Sequence, residues 1–538
     1  MRVARFYVQN FGCRATQADG AAIERQFRDR GLPRAATLDE ADIVILNTCT
    51  VTAAADQDAR ATIRRIHREN PGGRIIVTGC YAQRAPQEIA ALPGVTQVIG
   101  NSDKHRLAEI AMPDLPLSSG LPFRAKRRIC SSGSASTSKN LVPLAALTEN
   151  QELRTENSIF VSDIFAHTEL LAAPVFDAAN DRTRPNLKVQ DGCDNRCSFC
   201  IIPYVRGQSR SLPLAQVIGE VNTLVSAGYR EVVISGINLG RWGRDLVVGL
   251  QSSAVSQDSL RQRPTTNDQR LGSSQRSKTK DQRLGFEDLV CAILHETRLE
   301  KLRISSVEPM DWSDELIKLV ASSPRIAKHA HVPMQSGSDR VLRAMHRKYR
   351  PWHYREKIEK IRAAMPTAAI GADVMVGFPG ESDEDFEQTR RMVEELPFTY
   401  LHVFTYSSRP DTPAATMSNQ VPVQVARERN RILRELASDK KLAFMRSFVG
   451  KTIDAITLNV SDGERTEALT DNYLKLRLAG TWQANQWIST RVQSVVDGQL
   501  IGDPSFGWPD GRERPSLLSS CQNTAIQSAS ETAPQAES

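Results

Sequence analysis

The 538-residue sequence predicts an α/β protein with three folded parts: an N-terminal parallel-sheet α/β domain, a central partial (β/α) barrel and a small C-terminal all-β domain. Two observations support this fold class. Short runs rich in Val and Ile alternate with longer helical stretches over most of the chain, which is the pattern of βαβ units with parallel strands. Near the C-terminus the helical stretches stop, and β-rich runs follow one another across turns.

Residues 1–112 are the predicted N-terminal domain. Their strand-like runs begin at Phe6, Ile43 and Ile75, and helical stretches cover 21–30 and 53–69. After them, 113–184 contains a Ser-rich run and a basic run and has little periodicity. We therefore interpret that segment as a linker or insertion.

The alternation resumes over 185–446, where repeated βα units predict a full or partial barrel. The predicted strands are 231–235, 301–305, 330–333, 370–376 and 401–405. The predicted helices are 214–227, 383–395 and 423–444. One segment, 249–285, is rich in Gln, Ser, Arg and Thr and repeats the run Asp-Gln-Arg-Leu-Gly. Such a composition cannot bury a core, so we predict a disordered insertion there.

The C-terminal region divides into a β-rich part and a polar tail. Four β-rich runs separated by turns occupy 447–502 and predict a small all-β domain. The tail, 503–538, is rich in Ser, Pro and Gln, and we expect it to be disordered.

Composition narrows the class of protein. Apolar residues make up 40% of the chain and charged residues 24%, which is typical of globular domains. Nine cysteines are too few for a disulfide scaffold in a chain this long, and their clustering favours metal ligation in a reducing compartment. No apolar segment is long enough to span a bilayer, so we expect a cytoplasmic protein without a membrane partner. The net charge of +7 is compatible with nucleic-acid binding without requiring it.

Three cysteines lie in one short loop with the spacing C-x3-C-x2-C: Cys193, Cys197 and Cys200. Thiolates this close together can hold three irons of a [4Fe–4S] cluster. No further Cys or His follows as far as Arg210. One iron would then be open to a small molecule, which indicates a catalytic site. A zinc site is the alternative, and it would need a fourth protein ligand from a distant part of the chain.

A second triplet comes from three separate places, because Cys13, Cys49 and Cys80 each follow a strand-like run. The carboxyl ends of parallel strands share one edge of a sheet, so these thiols should meet there. Gly12 and Gly79 would allow the backbone to approach a bulky cluster closely. The alternative is three buried structural cysteines. The remaining cysteines lack such a context: Cys130, Cys291 and Cys521.

The loop at Cys193 resembles the signature of the radical S-adenosylmethionine (SAM) superfamily, and the two triplets in this order look like its methylthiotransferase family. Further similar stretches are 47–52, 201–207, 235–240, 332–338 and 373–381. The C-terminal β-rich segment is similar to a TRAM domain. The resemblance covers nearly all of 1–112 and 186–502.

This resemblance implies two [4Fe–4S] clusters, one on each triplet, with SAM as a second cofactor. The cluster at Cys193 would cleave SAM to a 5′-deoxyadenosyl radical, and the other would carry or donate sulfur, which a second SAM methylates. Gly236, Glu308 and Gln335 lie near predicted strand ends and are candidates for contact with SAM. Turn or core roles are the alternative for these three residues.

The resemblance also implies a tRNA partner and a reductant such as flavodoxin or ferredoxin. Residues 47–53 and 190–193 look most like the enzymes that act on C2 of N6-threonylcarbamoyladenosine at position 37 of tRNA. Thr16 departs from their usual Asn at this place. The run 340–354 mixes cations with aromatics, which suits RNA contact, although a solvated helix face is an equal alternative.

The sequence leaves three other functions open. The same chemistry could act on isopentenyladenosine-37 of tRNA or on an aspartate of a ribosomal protein. A non-enzymatic iron–sulfur or RNA-binding protein is the third possibility.

Overall fold

The structure is a computed structural model, and it describes residues 3–113, 158–167, 170, 183–246 and 284–503. Most of the predicted linker 113–184 lies outside the described residues. The same holds for nearly all of the predicted insertion 249–285 and for the tail from 504 onwards.

The N-terminal domain is a parallel sheet with helices on both faces. Its strands are β1 (Phe6–Asn10), β2 (Ile43–Thr48), β3 (Arg74–Gly79), β4 (Val95–Ile99) and β5 (Ser158–Phe160), and they pair in this order. Its helices are α1 (Arg14–Arg28), α2 (Ala53–Glu69), α3 (Cys80–Arg84), α4 (Pro86–Ala90) and α5 (Leu107–Ala111), with a 3-10 turn at Lys104–Arg106. Every residue of β2 is buried, as expected for a central strand covered on both faces.

Strand β5 lies within 113–184, the segment that the sequence predicts as a linker or insertion. Its three residues pair in parallel with β4 and so extend the N-terminal sheet. All three are exposed, so the local sequence carries no burial pattern that identifies a strand. Pairing with β4, rather than local propensity, creates this element.

The central domain contains two three-stranded parallel sheets that together form an open barrel. Its strands are β6 (Asn186–Lys188), β7 (Gln190–Asp191), β8 (Arg210–Ser211), β9 (Glu231–Ser235), β10 (Lys301–Ile304), β11 (His329–His331), β12 (Ala369–Val376) and β13 (Tyr400–Thr405). One sheet has the order β10-β9-β6 and the other β11-β12-β13. A parallel bridge between Ser306 and His331 joins them, which gives the predicted partial barrel.

Helices surround the outside of this barrel. They are α6 (Ile202–Arg206), α7 (Leu214–Ser226), α8 (Phe286–Glu296), α9 (Asp314–Ser322), α10 (Asp339–Ala344), α11 (Pro351–Ala364), α12 (Asp383–Glu395) and α13 (Val423–Arg446). The 3-10 turns of this domain are Leu239–Arg241, Pro309–Asp311 and Pro413–Thr416. One apolar core fills the space between helices and strands, so alternate strand residues face the barrel lumen instead.

The C-terminal domain is a closed five-stranded barrel, which confirms the small all-β domain. Its strands are β14 (Thr452–Ser461), β15 (Arg465–Thr470), β16 (Lys475–Ala479), β17 (Trp487–Val496) and β18 (Gln499–Gly502). They close in the order β14-β15-β16-β18-β17. Within the described part of the chain, we find no helix with the length and apolar character needed to cross a bilayer.

Candidate functional site

The N-terminal cysteines lie at one edge of the five-stranded sheet. Cys13 caps α1 just after β1, Cys49 directly follows β2, and Cys80 is the first residue of α3 after β3. Cys13 is exposed, whereas Cys49 and Cys80 are buried. Burial, with the nearby thiols of Cys80 and Cys13, raises the pKa of Cys49 to about 12. The three thiols therefore share one site, and a bound metal would be needed to stabilise the Cys49 thiolate.

Two glycines shape this edge, but in different ways. Gly12 has a φ of +92°, and a Cβ on it would lie 2.9 Å from Sγ of Cys49. Only glycine lets the backbone at residue 12 come this close to Cys49. Gly79 has a φ of +100°, and its Cβ would lie 2.3 Å from the carbonyl oxygen of Thr48. Gly79 therefore allows close contact between neighbouring strand ends rather than approach to a cluster.

The second triplet lies in the loop between β7 and β8, whose antiparallel pairing closes the loop at its base. Burial raises the pKa of Cys193 to about 11 and that of Cys200 to about 12, while backbone N–H groups of Asn195 and Ile202 act in the opposite direction. Partly buried thiols that accept amide N–H bonds suit iron–sulfur ligation.

The donor atoms of both triplets suit a [4Fe–4S] cluster. In the described ranges, no three Cys, His, Asp or Glu side chains are grouped so as to hold one metal ion. A [4Fe–4S] cluster does not require such a group, because each thiolate binds a different iron. Three thiolates in each triplet are the donor set that a [4Fe–4S] cluster takes, whereas a structural zinc site would need a fourth protein ligand.

Gly236 and Asn238 lie beside the loop at Cys193. The backbone N–H of Asn238 donates to Oε1 of Gln190 at 2.7 Å, and its side-chain amide nitrogen is 3.6 Å from Sγ of Cys193. A Cβ on Gly236 would lie 2.7 Å from Oε1 of Gln190. Glycine is therefore required for the chain to pass Gln190 at this strand end. The sequence did not single out Asn238, although it falls within the family-like stretch 235–240.

Glu308 forms an ion pair with Arg347, a residue whose role the sequence did not identify. A guanidinium nitrogen of Arg347 also lies 3.4 Å from Sγ of Cys197. Within the run 340–354, Arg347 is held by these partners, and Tyr349 and Tyr354 are buried, so these three residues are not available to RNA. RNA contact by the rest of the run stays a prediction. In sequence, a run of cations and aromatics does not distinguish a surface from a buried ion-pair cluster.

Gln335 follows β11 with a φ of +63°, which is rare for a residue with a side chain. Its N–H donates to the carbonyl oxygen of Asp373, and its own carbonyl accepts from the N–H of Met375. The side chain is 8% exposed, and Oε1 has no hydrogen-bond partner among the described residues. A buried, unpaired acceptor beside the barrel lumen suits a ligand with N–H donors.

The two triplets adjoin each other. Cys80 packs in one apolar cluster with Ile201 and Val205, and Ile201 directly follows Cys200 in the chain. Asn101 strengthens this junction, because its side-chain amide donates to the carbonyl oxygen of Val205 at 2.7 Å and lies 3.5 Å from Sγ of Cys80.

A buried ion network fixes the same interface. Asp19 on α1 accepts from Lys104, Lys188 and Arg206, and Asp191 in β7 accepts from Lys188 and Arg206. Burial alone would raise the pKa of Asp19, but the three cations lower it to about 2. The sequence analysis missed this network. A visible signal was Lys188, a charge between the apolar residues of a core strand.

The barrel lumen is strongly polar. Side chains that alternate with core residues line it: Glu231, Arg303, His329, His331, Asp373, Tyr400 and His402. Tyr473 of the C-terminal barrel enters from one end, with its ring centroid 4.9 Å from that of His329. Arg14 of the N-terminal domain donates to the Tyr473 hydroxyl at 2.8 Å. All three domains therefore contribute to this cavity.

Comparison with known proteins finds two family models in the chain. The model described as "Uncharacterized protein family UPF0004" matches residues 5–100, and "Radical SAM superfamily" matches residues 187–393. The first contains Cys13, Cys49 and Cys80, and the second contains the loop at Cys193.

Relatives match most of the chain. The "Threonylcarbamoyladenosine tRNA methylthiotransferase MtaB" of Bacillus subtilis is 34% identical over 87% of this chain and 89% of its own length. The "tRNA-2-methylthio-N(6)-dimethylallyladenosine synthase" of Novosphingobium aromaticivorans is 31% identical over 84% of this chain and 86% of its own length. Among solved structures, the radical SAM methyltransferase TsrM of Kitasatospora setae superposes with a TM-score of 0.48 and 14% identity, covering 77% of this chain and 75% of that one.

Proposed function

This chain belongs to the MtaB-type radical SAM methylthiotransferases, which modify tRNA, and we propose that it methylthiolates C2 of N6-threonylcarbamoyladenosine at position 37. We assign one [4Fe–4S] cluster to Cys193, Cys197 and Cys200, and a second to Cys13, Cys49 and Cys80. The proposed substrate is a tRNA, so we expect the enzyme to work in the cytoplasm with a small electron-transfer protein as reductant.

The observation that carries the proposal is the junction of the two triplets. Cys80 packs against Ile201, one residue after Cys200, and the buried network around Asp19 locks the two domains together. An enzyme that activates a C–H bond at one cluster and delivers sulfur from another must hold both close to one substrate atom. Fixed contact between the two cysteine edges supports that arrangement.

The bound cofactors would supply the electron, the hydrogen-abstracting radical, the sulfur atom and the methyl group. The chain's own residues hold the ligand thiols in place. Asn101 lies beside Cys80, Asn238 beside Cys193, and Arg347 beside Cys197, each within hydrogen-bond reach of a sulfur. Donors of this kind stabilise negative charge on a thiolate.

We propose that SAM binds next to these residues. Gly236 lies beside Gln190 near the loop at Cys193, Glu308 is linked to that loop through Arg347, and Gln335 lies beside the barrel lumen. Glu308 presents a carboxylate held by Arg347, and Gln335 has an unpaired acceptor, while the absent side chain of Gly236 lets the chain pass Gln190 beside them. We propose that these residues orient SAM and that the barrel around them keeps water out of the reaction.

A second candidate substrate is isopentenyladenosine-37 of tRNA. It is favoured by the relative from Novosphingobium aromaticivorans, whose printed name refers to the dimethylallyl nucleoside. The polar lumen favours the first candidate, because an apolar substituent would displace water from charged groups without replacing its hydrogen bonds.

The test is a reaction with reconstituted protein. The full chain, loaded with iron and sulfide and supplied with SAM and a reductant, is given anticodon stem–loop RNAs that carry either nucleoside at position 37. We expect a mass increase of one methylthio group on the threonylcarbamoyl RNA. Modification of the isopentenyl RNA alone would support the second candidate, and modification of neither would refute both.

A further inference from the structure

We propose that Arg14 recognises the carboxylate on the N6 substituent of the target adenosine, and this inference rests on the proposed function. It would make Arg14 a specificity residue that separates an acidic N6 substituent from a neutral one. Among the lumen cations that the structure describes, Arg14 lacks the acidic partner that Arg303 and Arg184 have.

Arg14 lies between the sulfur-handling cysteines and the barrel lumen. It directly follows Cys13 and is the first residue of α1. Its backbone carbonyl accepts a hydrogen bond from the side chain of Asn186, at the start of β6. Its guanidinium donates to the hydroxyl of Tyr473, whose ring enters the lumen from the C-terminal domain. A substrate atom near Cys13 would therefore have Arg14 as its immediate neighbour.

The charge of Arg14 has no acidic partner, unlike the other cations here. Arg303 pairs with Glu231 at 2.7 Å, and Arg184 approaches the same carboxylate at 3.8 Å. For Arg14, no ion pair is formed with any residue that the structure describes, and its one side-chain hydrogen bond goes to the neutral Tyr473 hydroxyl. A half-buried guanidinium without a counter-ion suits a carboxylate ligand, which it can bind through two N–H donors.

A second observation points to a ligand at the same place. Asn186 is 7% exposed, and its side-chain oxygen has no partner within the described ranges, although its amide nitrogen donates to Arg14. A buried acceptor without a donor is costly unless a ligand supplies one. A threonylcarbamoyl group suits both residues, because its urea N–H groups can donate to the Asn186 oxygen and its carboxylate can accept from Arg14.

The acid group can be tested alone by comparing two ligands. One is an anticodon stem–loop RNA with N6-threonylcarbamoyladenosine at position 37, and the other is the same RNA with that carboxylate as its methyl ester. The ester keeps the shape and removes the charge. Binding to the cluster-loaded full chain is measured by fluorescence anisotropy at fixed salt, since RNA affinity depends strongly on ionic strength.

We expect wild-type protein to bind the acid at least about tenfold more tightly than the ester, as for loss of a charged hydrogen bond. Arg14→Gln should bind both RNAs equally, at about the wild-type affinity for the ester. Arg14→Lys keeps the charge and should retain part of the preference. Arg25→Gln, on the same helix but paired with Glu220, should behave as wild type. Iron content and circular dichroism establish that each variant is folded and loaded.

The outcomes separate the inference from the proposed function. If wild type methylthiolates the threonylcarbamoyl RNA but binds acid and ester equally, the carboxylate is not read and the inference fails alone. If wild type prefers the acid and Arg14→Gln keeps that preference, another residue recognises the carboxylate and the inference again fails alone. If wild type neither binds nor modifies this RNA, the proposed function fails and takes the inference with it.

Discussion

Cys80 packs against Ile201, the residue that directly follows Cys200. The contact links the two cysteine triplets through side chains rather than through a flexible connection. Because Cys80 opens α3 and Ile201 immediately precedes α6, the packing of these two helices sets the separation of the proposed clusters.

Removing one ligand from each triplet should give two different defects. Cys197→Ala should lower iron from about eight to about four per chain and abolish release of 5′-deoxyadenosine from SAM, since the radical cluster is lost. Cys49→Ala should show the same iron loss but still release 5′-deoxyadenosine without forming the methylthio product. Iron analysis and chromatography measure both. Cys291→Ala, on α8, is the matched control and should keep full iron and activity; identical defects in both ligand variants would contradict the separate roles.

Arg347 should set the electronic properties of the radical cluster, because it donates toward Cys197 and pairs with Glu308. Arg347→Met removes a positive charge beside a thiolate, which disfavours the reduced state. We expect the reduction potential to fall by roughly 60 mV, equivalent to about 1.4 kcal/mol for one electron. Potentiometric titration followed by electron paramagnetic resonance measures this. Arg343→Met, which removes an exposed cation paired with Asp339, should leave the potential unchanged; an equal shift in both variants would refute the local role of Arg347.

Asp19 should be essential to the interface between the N-terminal and central domains. Asp19→Asn leaves Lys104, Lys188 and Arg206 buried with one carboxylate fewer. Breaking a buried ion network by removing one partner costs about 3–5 kcal/mol. Denaturant unfolding should show this loss. Asp39→Asn, at an exposed position, is the control and should change stability by less than about 0.5 kcal/mol. A small loss for Asp19→Asn would mean that the network contributes little.

The same carboxylate predicts a pH dependence. The cations hold the pKa of Asp19 near 2, below its usual 3.8, so its contribution is complete above about pH 4 and is lost as the pH falls toward 2. For cluster-free wild type we expect about 2 kcal/mol less stability at the acid end of this range from Asp19 alone. The difference in denaturation midpoint between wild type and Asp19→Asn should therefore shrink on acidification. A difference that stays constant from pH 5 to pH 2.5 would contradict this assignment.

Local signals explain what the sequence predicted well. The helix at 53–69 and the helix at 383–395 have the predicted bounds, because amphipathic spacing is reinforced by capping residues. Thr52 caps the first and Ser382 the second. The sequence also predicts that the cysteines lie at the strand ends, because each cysteine follows a strand-like run.

The features that the sequence missed depend on distant partners. Helix α1 begins at Arg14 rather than near residue 21. The buried residues of its first turns, such as Ala15 and Ala18, are small, so the sequence lacks the helical spacing of large apolar residues that would predict a helix there. The pairing of Lys188 with Asp19 joins residues 169 positions apart. Likewise, Arg14 and Tyr473 come from opposite ends of the chain. No local pattern indicates such contacts.

The most direct test of the proposed reaction is nucleoside mass spectrometry of tRNA from a strain that lacks this chain. The account predicts loss of 2-methylthio-N6-threonylcarbamoyladenosine and accumulation of N6-threonylcarbamoyladenosine, restored by wild type and not by Cys197→Ala. An unchanged level of 2-methylthio-N6-threonylcarbamoyladenosine in the deletion strain would contradict it.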